Sequence, residues 1–550
     1  MVLIGLIPLL GGYMAKVFRG EVTCFHRVFF PLECITYKIA GVNPREEMGW
    51  KKYTKTLLVF NLFGLIFLFV IQLLQHILPL NPERLPAVPW PLAFNTAMSF
   101  VTNTDLQAYA GETTMSYLTQ MSGLTVQNFL SAATGNVTLL ALIRGISRKS
   151  SETIGNFWVD LVRTVVYLLL PLAVILAFAL ISQGAIQSLA PYVKVMTLEK
   201  EMQTIPMGPV ASQVAIKQLG TNGGGYFGAN SAHPFENPNS VSNFLETLAI
   251  VLIPASLVFT YGLMIGDPKE GWMLLLAMGL LLAGGSAIAF YSEHVSNPLF
   301  DAQPLMEGKE TRFGVSHTVL WSTLTTATAN GSVNGLQDSL SPLSGGVALF
   351  NIMLGELLFG GVGYGLCSML MFVLLTIFLA GLMVGRTPEY MGKKIEKREM
   401  QWVCGAILLP VALILIGGGV ASVFPPAVAQ ISNKGPHGLS EIVYAFASAA
   451  RNNGSAFSGL NMNTPFFNKA LTLCMLLGHL SIVVPSLAIA GCLAKKKVLP
   501  KTSGSFSTNN WLFVFLLLGV ILIVGALTFF PALSLGPIVE HLVMVKGQAF

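Results

Sequence analysis

Four short polar segments interrupt an otherwise apolar chain, and their residue types suit the coordination of an alkali cation. They occupy residues 102–104, 221–225, 329–332 and 452–455. With Asn103, Gly223, Gly331 and Gly454 as reference points, the spacings are 120, 108 and 123 residues, which indicates a repeated structural unit. Irregular backbone in a membrane protein is tolerated where it is buried in protein or lines a water-filled path. A ring of backbone carbonyls can replace the hydration shell of a potassium ion, so the segments predict a potassium pore within one polypeptide.

We expect this filter to be formed by the polar and glycine residues of the four segments. An isolated Asn-Gly pair is usually a turn, and only the coordinated recurrence favours a filter. The first segment has Asn103 where the others have glycine, so the ring is not four-fold identical. The expected potassium positions are Asn103, Gly223, Gly331 and Gly454. The expected filter residues are Thr102, Asn103, Thr104, Asn222, Gly223, Gly224, Asn330, Gly331, Ser332, Asn453, Gly454 and Ser455.

The composition indicates a protein that crosses the membrane many times. Hydrophobic residues make up 53% of the 550 residues and charged residues only 11%, against about 25% charged in soluble proteins. Ten stretches approach the roughly 20 apolar residues that a bilayer requires, and the seventh is too long for one straight helix. The stretches are 1–18, 56–78, 115–143, 162–182, 241–266, 272–292, 345–384, 400–424, 466–492 and 511–535.

A shorter, semi-apolar segment precedes each polar segment and is too short to span. These segments are 90–100, 209–220, 314–327 and 438–450, and we interpret them as re-entrant helices whose partly negative C-terminal ends point at the pore. The predicted fold is therefore all-α and polytopic, with ten transmembrane helices, four re-entrant pore helices and four filter loops. The predicted units are a first helix and cytoplasmic loop (1–55), pore repeats 56–143, 162–266, 272–384 and 400–492, and a last helix (511–550).

Basic residues are dense in the segments after spans 1, 3, 5, 7 and 9. The positive-inside rule makes that face cytoplasmic, so both termini are predicted outside. The net charge of +6 follows the sidedness of the membrane, which argues against nucleic-acid binding and for contact with lipid.

Two further sets of residues have an expected role. Acidic residues near the loops would concentrate cations at the pore mouth; ordinary solvated loop charge is an equal alternative. They are Asp105, Glu112, Glu236 and Asp338. Glycines in the long seventh stretch would break the helix below the third filter loop and could form a gate, with helix packing as the alternative. They are Gly360, Gly361, Gly363 and Gly365.

The chain has no phosphate-binding loop of the Gly-x4-Gly-Lys-Ser/Thr type. It also lacks an Asp-Lys-Thr-Gly-Thr phosphorylation sequence. No catalytic residue is predicted, and ATP hydrolysis is not expected of this chain alone.

Several strings are similar to the potassium-transporting A subunit of the bacterial Kdp potassium ATPase. They include Phe-Val-Thr-Asn-Thr at 100–104, Gly-Leu-Thr-Val-Gln-Asn-Phe at 123–129, His-Pro-Phe-Glu-Asn-Pro at 233–238 and Gly-Arg-Thr-Pro-Glu-Tyr at 385–390. The resemblance covers essentially the whole chain. It implies four covalently linked channel-like repeats, a filter that binds external potassium, and the glycine-rich break as the gating loop.

The resemblance also implies partners and a location. It implies a P-type ATPase subunit (KdpB-like) that hydrolyses ATP, an accessory subunit (KdpC-like) and a small membrane peptide (KdpF-like), in the bacterial inner membrane. The ligand would be the transported potassium ion, with no covalently bound cofactor. The chain departs from the family pattern at Asp105, Arg451 and His479, and we expect Arg451 to point away from the pore, towards an acidic partner.

The leading hypothesis is thus the potassium-binding and translocating subunit of a high-affinity, ATP-driven potassium importer. The alternative is a self-sufficient potassium symporter or channel of the same four-repeat superfamily. A third possibility, a structural membrane scaffold, predicts that Gly223→Asp or Gly454→Ser leaves ion uptake unchanged.

Overall fold

The structure is a computed structural model that describes residues 2–23, 25–295, 298–299, 305–500 and 507–548. The outermost domain boundaries of the sequence analysis, residues 1 and 550, lie outside these ranges. Within them the chain is built of helices and two short hairpins. In chain order the main helices are α1 (Val2–Arg19), α2 (His26–Ala40), α3 (Trp50–Leu74), α4 (Trp90–Val101), α5 (Thr119–Ser147), α6 (Phe157–Ser182), α7 (Val210–Leu219), α8 (Ser240–Ile265), α9 (Pro268–His294), α10 (Gly314–Ala327), α11 (Pro342–Leu354), α12 (Tyr364–Val384), α13 (Lys397–Val423), α14 (Gly435–Ala450), α15 (Pro465–Ala494) and α16 (Trp511–Val545).

Ten helices of the described residues are long and apolar enough to cross a membrane, which confirms the ten predicted spans. They are α1, α3, α5, α6, α8, α9, α12, α13, α15 and α16. The overlong seventh stretch is broken into α11 and α12 by residues 355–363, as its length requires. Helix α2 was not predicted, because its charged and aromatic residues give no continuous apolar run.

Each of the four shorter helices α4, α7, α10 and α14 ends within two residues of the start of one polar segment. Most of their side chains are buried. The first three agree with the predicted segments to within one or two residues. The fourth starts at Gly435, three residues earlier than expected, because Pro436 fits the first turn of a helix, where the missing N–H costs nothing.

The ten long helices divide into central and peripheral ones. In the most apolar 18-residue stretches of α5 and α15, 83% and 72% of the residues are buried. In the corresponding stretches of α3 and α9 only 28% of the residues are buried. The peripheral helices expose large apolar side chains such as Phe63 and Leu527. Large contiguous apolar surface is not stable in water, so this outer surface fits a lipid bilayer, and the central helices enclose the polar segments.

Two antiparallel hairpins complete the described structure. β1 (Val193–Met196) pairs with β2 (Met202–Ile205) in the connection between α6 and α7. β3 (Glu389–Tyr390) pairs with β4 (Lys393–Lys394) between α12 and α13. Both hairpins lie outside the polar segments in sequence.

Candidate functional site

The four polar segments meet at one point, although they lie more than 100 residues apart in sequence. A methyl group on Gly223 would lie 2.8 Å from the carbonyl oxygen of Thr104 and 3.2 Å from those of Asn330 and Asn453. On Gly454 it would lie 2.0 Å from the Thr104 oxygen. Backbone carbonyls from different repeats therefore surround a common centre.

One backbone pattern recurs in all four loops. In each loop one residue has a positive φ of 49° to 61°; these residues are Asn103, Thr221, Ala329 and Asn452. The N–H of the residue that follows donates to the carbonyl of the residue five positions before it. These bonds join Thr104 to Ser99 (2.9 Å), Asn222 to Lys217 (2.8 Å), Asn330 to Thr325 (3.0 Å) and Asn453 to Ser448 (2.9 Å). This common geometry brings each helix C-terminus directly behind its loop, where its partial negative charge favours a cation.

The same pattern changes the alignment of the first repeat. The hydrogen bonds make Thr104 equivalent to Asn222, Asn330 and Asn453, so Asp105 occupies the position of the three glycines. Asp105 also has a positive φ of 54°, as Gly331 (82°) and Gly454 (95°) do, whereas Gly223 does not. Asn103, which the sequence placed there, lies two residues earlier and precedes the ring. The physical reason is that the turn after α4 is fixed by backbone hydrogen bonds, while a spacing argument can only match residue types.

The asparagine side chains in the loops brace one repeat against another. Asn222 Nδ2 donates to Asn103 Oδ1 at 2.8 Å, and Asn103 Nδ2 donates to the Thr221 carbonyl at 3.1 Å. Asn453 Nδ2 donates to the Thr325 carbonyl at 3.0 Å. The side-chain nitrogens of these amides are paired within the protein, whereas Asn222 Oδ1 is buried without a partner among the described residues and lies beside Gly220. The backbone carbonyls gathered around Gly223 are the groups available to an ion.

The predicted hydroxyl residues take part in the same bracing. Thr104 Oγ1 contacts Thr102 Oγ1 and accepts a bond from Asn452 Nδ2, both at 2.8 Å. Ser332 Oγ donates to Gln218 Oε1 at 2.9 Å, and Ser455 Oγ lies 2.8 Å from the Tyr444 hydroxyl. These hydroxyl groups are held within the loops and their supporting helices. Gly224, the remaining predicted filter residue, has a positive φ of 69° and its carbonyl accepts a bond from Lys217.

Asp105 is fully buried, and its carboxylate ties the first loop to the second. Its Oδ2 accepts from Asn222 Nδ2 at 2.8 Å, and Asn128 donates to Oδ1 at 3.0 Å in the amide orientation that satisfies its neighbours. Burial raises the pKa of the Asp105 carboxyl well above its usual range, while hydrogen bonds from Asn222 and the Gly223 N–H lower it. The Asp105 side chain is thus held between the second loop and α5.

The other three acidic residues predicted at the mouth are also engaged. Glu236 is fully buried and forms an ion pair of 2.5 Å with Lys217, which the sequence analysis did not single out. Glu112 accepts the Gly228 N–H at 2.7 Å, and Asp338 faces His437 at 3.0 Å. A lysine inside a short, otherwise uncharged helix was the signal that could have revealed the buried pair.

A cavity of about 460 Å³ adjoins the ring, on the side where the loops leave it. Its wall contains Gly224, Gly331 and Gly454 from three of the loops and Gln107 from the segment that follows the first loop. Access to the ring is therefore shared by the four repeats.

The glycine-rich break lies against the opposite side of the loops. Gly361 N–H donates to the Thr328 carbonyl at 2.7 Å, and Val362 N–H donates to Thr221 Oγ1 at 2.9 Å. A methyl group on Gly363 would lie 2.3 Å from the Gly135 carbonyl oxygen. Gly360 and Gly365 belong to the same segment, where the Gly365 N–H donates to the Gly360 carbonyl at 2.7 Å. All four predicted gating glycines thus lie where α12 begins, behind the second and third loops.

Arg451, directly before the fourth loop, points at this break. A methyl group on Gly355 would lie 2.6 Å from an Arg451 guanidinium nitrogen, and the neighbouring Glu356 interacts electrostatically with that charge. The residue is 9% exposed. The expected orientation, away from the carbonyl ring and towards an acidic residue, agrees with this position.

We therefore expect Arg451→Asn to leave the half-saturating potassium concentration within about threefold of the parental value, because about 0.6 kcal/mol corresponds to that ratio. It should lower the free energy of unfolding by about 1–3 kcal/mol, because the buried Glu356 carboxyl, whose Oε2 has no hydrogen-bond partner among the described residues, loses its positively charged neighbour. A potassium titration and a thermal melt measure the two effects. The exposed Arg45 provides a control as Arg45→Asn. A strong tightening of potassium binding in Arg451→Asn would show that the guanidinium faces the ion.

The sequence and the fold both have relatives. A family model described as potassium-transporting ATPase A subunit matches residues 1–542. A potassium-transporting ATPase potassium-binding subunit from Sorangium cellulosum is 53% identical over 566 residues, covering 99% of this chain and 98% of the relative. The subunit of the same name from Brucella anthropi is 52% identical over 553 residues, covering 100% and 98%.

A solved structure supports the fold alone. The crystal structure of the potassium transporter TrkH from Vibrio parahaemolyticus aligns with a TM-score of 0.54 and 14% identity. The alignment covers 78% of this chain and 84% of the other. The arrangement of helices is thus shared with a protein of very different sequence.

Proposed function

This chain belongs to the family of potassium-transporting ATPase A subunits, and from that premise we propose that it binds external potassium and translocates it as part of an ATP-driven importer. The observation that carries the proposal is the convergence of backbone carbonyls from the first, third and fourth repeats on Gly223 of the second. The ion is the transported ligand, and no covalently bound cofactor is required.

The chemistry of the ring suits a large monovalent cation. Carbonyl oxygens replace the water molecules around potassium without adding a negative charge that would hold the ion too tightly to leave. The proposed ring comprises the carbonyls of Thr104, Asn222, Asn330 and Asn453. The C-terminal ends of α4, α7, α10 and α14 add a favourable potential for the cation.

The energy for import comes from a partner in this proposal. The chain has neither a phosphate-binding loop nor an Asp-Lys-Thr-Gly-Thr phosphorylation sequence, and its relatives are named as subunits of a potassium-transporting ATPase. We infer a P-type ATPase subunit as the main partner, with a KdpC-like accessory subunit and a KdpF-like membrane peptide beside it. The glycine-rich break below the loops is the proposed gate between the ring and the path onwards.

The orientation follows from the distribution of basic residues. We infer that the face carrying the dense lysine and arginine groups is cytoplasmic, because such residues are retained on that side. Both termini, the four loops and the cavity beside the ring then face the outside of a bacterial inner membrane. Each of the short helices α4, α7, α10 and α14 enters the membrane from this outer side, and the loop that follows it returns to the same side. These four helices are the proposed re-entrant pore helices.

Co-purification and potassium-dependent ATP hydrolysis test the proposal together. A tagged chain expressed with its neighbouring genes should retain an ATPase subunit, and the complex should hydrolyse ATP faster when potassium is added. Gly223→Asp should remove that stimulation, because its side chain would enter the ring of carbonyls. Potassium uptake by the chain alone, without an ATPase partner, would instead support the symporter or channel alternative.

A further inference from the structure

A cluster of possible metal ligands lies beside the fourth loop and plays no part in the proposed ring. Asp338 follows the third loop, while His437 and Glu441 lie one turn apart on the same face of α14. One ligand atom from each residue lies within 4.8 Å of the others. The cluster combines an imidazole with two carboxylates contributed by two different repeats.

Glu441 supplies an unused buried oxygen. The residue is fully buried, and its Oε1 accepts from Asn433 Nδ2 at 2.7 Å and from the Asn433 N–H at 3.2 Å. Its Oε2 is buried without a hydrogen-bond partner among the described residues. An unpaired carboxylate oxygen away from water is costly, and a cation would compensate it.

Gly459 leaves the space that the two carboxylates share. A methyl group there would lie 2.3 Å from Glu441 Oε1 and 2.9 Å from Asp338 Oδ2. Both carboxylates therefore face Gly459. A positive charge between them would relieve their mutual repulsion.

Glu540 in α16 orients the imidazole. Its Oε1 lies 2.8 Å from His437 Nδ1, while His437 Nε2 faces Asp338 Oδ1 at 3.0 Å. Metal-binding histidines commonly donate their second ring N–H to a carboxylate, which fixes the tautomer and leaves the other nitrogen for the metal. The arrangement of Glu540, His437 and Asp338 has this form.

From these contacts we propose that Asp338, His437 and Glu441 bind a divalent transition cation of the zinc class. The ligand atoms are one carboxylate oxygen each of Asp338 and Glu441 and Nε2 of His437, with a water molecule at the fourth position. One nitrogen and two oxygen ligands suit zinc. Magnesium and calcium prefer six or more oxygen ligands, which this cluster does not offer.

Binding would connect three parts of the protein. The site joins the third loop, α14 and, through Glu540, the end of α16. Phe457 stacks on His437 and also on Tyr444, whose hydroxyl contacts Ser455 in the fourth loop. A bound cation would therefore restrain one side of the outer opening of the ring.

Zinc binding to the purified, full-length complex tests the proposal directly. Isothermal titration with zinc chloride should give one tight site per chain, which magnesium chloride at the same concentration does not fill. Asp338→Asn and Glu441→Gln should each weaken binding at least tenfold, and Glu540→Gln by about 10–100-fold. His76→Gln, which alters an exposed histidine elsewhere, should leave binding unchanged.

A zinc X-ray absorption spectrum of the parental complex identifies the ligands without relying on a variant that folds. One imidazole and otherwise oxygen ligands are expected. The exposed Cys34 and Cys404 are competing sites, and a sulfur-dominated spectrum would overturn the proposal. So would the lack of stoichiometric binding, which would leave His437 as a hydrogen-bonding bridge between Asp338 and Glu540 only.

Discussion

Gly454→Ser should weaken potassium binding by at least about 100-fold, or about 3 kcal/mol at 1.4 kcal/mol per tenfold change. The new Cβ atom would lie 2.0 Å from the Thr104 carbonyl oxygen, which cannot give way without leaving the ring. The backbone at Gly454 also has a φ of +95°, a conformation that non-glycine residues rarely adopt. Both effects displace a carbonyl that we propose as an ion ligand.

The measurement is a titration of ATP hydrolysis with potassium, repeated with rubidium and ammonium. A widened or distorted ring should also discriminate less between these ions. Gly405→Ser is the matched control, because Gly405 lies in α13 with no atom within 4 Å of the added Cβ. If the two variants give the same half-saturating concentrations as the parental complex, the four loops do not form the ion site.

Lys217→Met is expected to be the most destabilising single change considered for this chain. Lys217 and Glu236 are each at most 1% exposed and form an ion pair of 2.5 Å. Lys217 Nζ also donates to Asn230 Oδ1 at 2.6 Å and to the Gly224 carbonyl at 3.2 Å. Removal of one partner from a buried pair leaves an uncompensated charge and costs about 3–5 kcal/mol. Because Gly224 belongs to the second loop, potassium binding should weaken as well.

A second substitution separates the charge from the shape of the side chain. In Lys217→Met/Glu236→Gln the buried negative charge is gone, so the double variant should recover at least half of the lost stability. Lys52→Met serves as the control, since the Lys52–Glu46 pair is more than half exposed and such pairs contribute at most about 1 kcal/mol. The comparison comes from thermal melts of the parental protein, Lys217→Met, the double variant and Lys52→Met. Equal melting temperatures for Lys217→Met and Lys52→Met would contradict the assigned role of the buried pair.

Much of the architecture could be predicted because it depends on the length and hydrophobicity of local segments of the chain. The ten spans follow from runs of apolar residues, and the break before α12 follows from a stretch too long for one helix. The short helices before the loops were visible as apolar segments below spanning length. In each case the membrane imposes one requirement, that backbone N–H and C=O groups find their hydrogen-bond partners within the protein, and apolar helices satisfy it locally.

Contacts between distant residues were not predictable in the same way. The sequence matched Asn103 with Gly223, Gly331 and Gly454 by residue type, whereas the backbone hydrogen bonds put Asp105 in that position. Glu236 was expected at an open mouth and is instead buried against Lys217. The residue type of a carboxylate is the same in both environments. Only the residues packed around it determine whether it contacts water or pairs with a lysine.

The sequence by itself therefore determined the class of protein, the number of spans, the position of the break and the four segments that form the candidate site. Periodicity and apolar run length carry that information, because both arise from the local match between a chain and a bilayer. The tertiary structure alone decided which carbonyls share a centre, that Asn222 and Asn453 brace neighbouring repeats, and that Asp338, His437 and Glu441 converge. These contacts depend on distances between residues about 100 positions apart. The packing of the ten helices sets those distances, and no periodic pattern in the sequence encodes them.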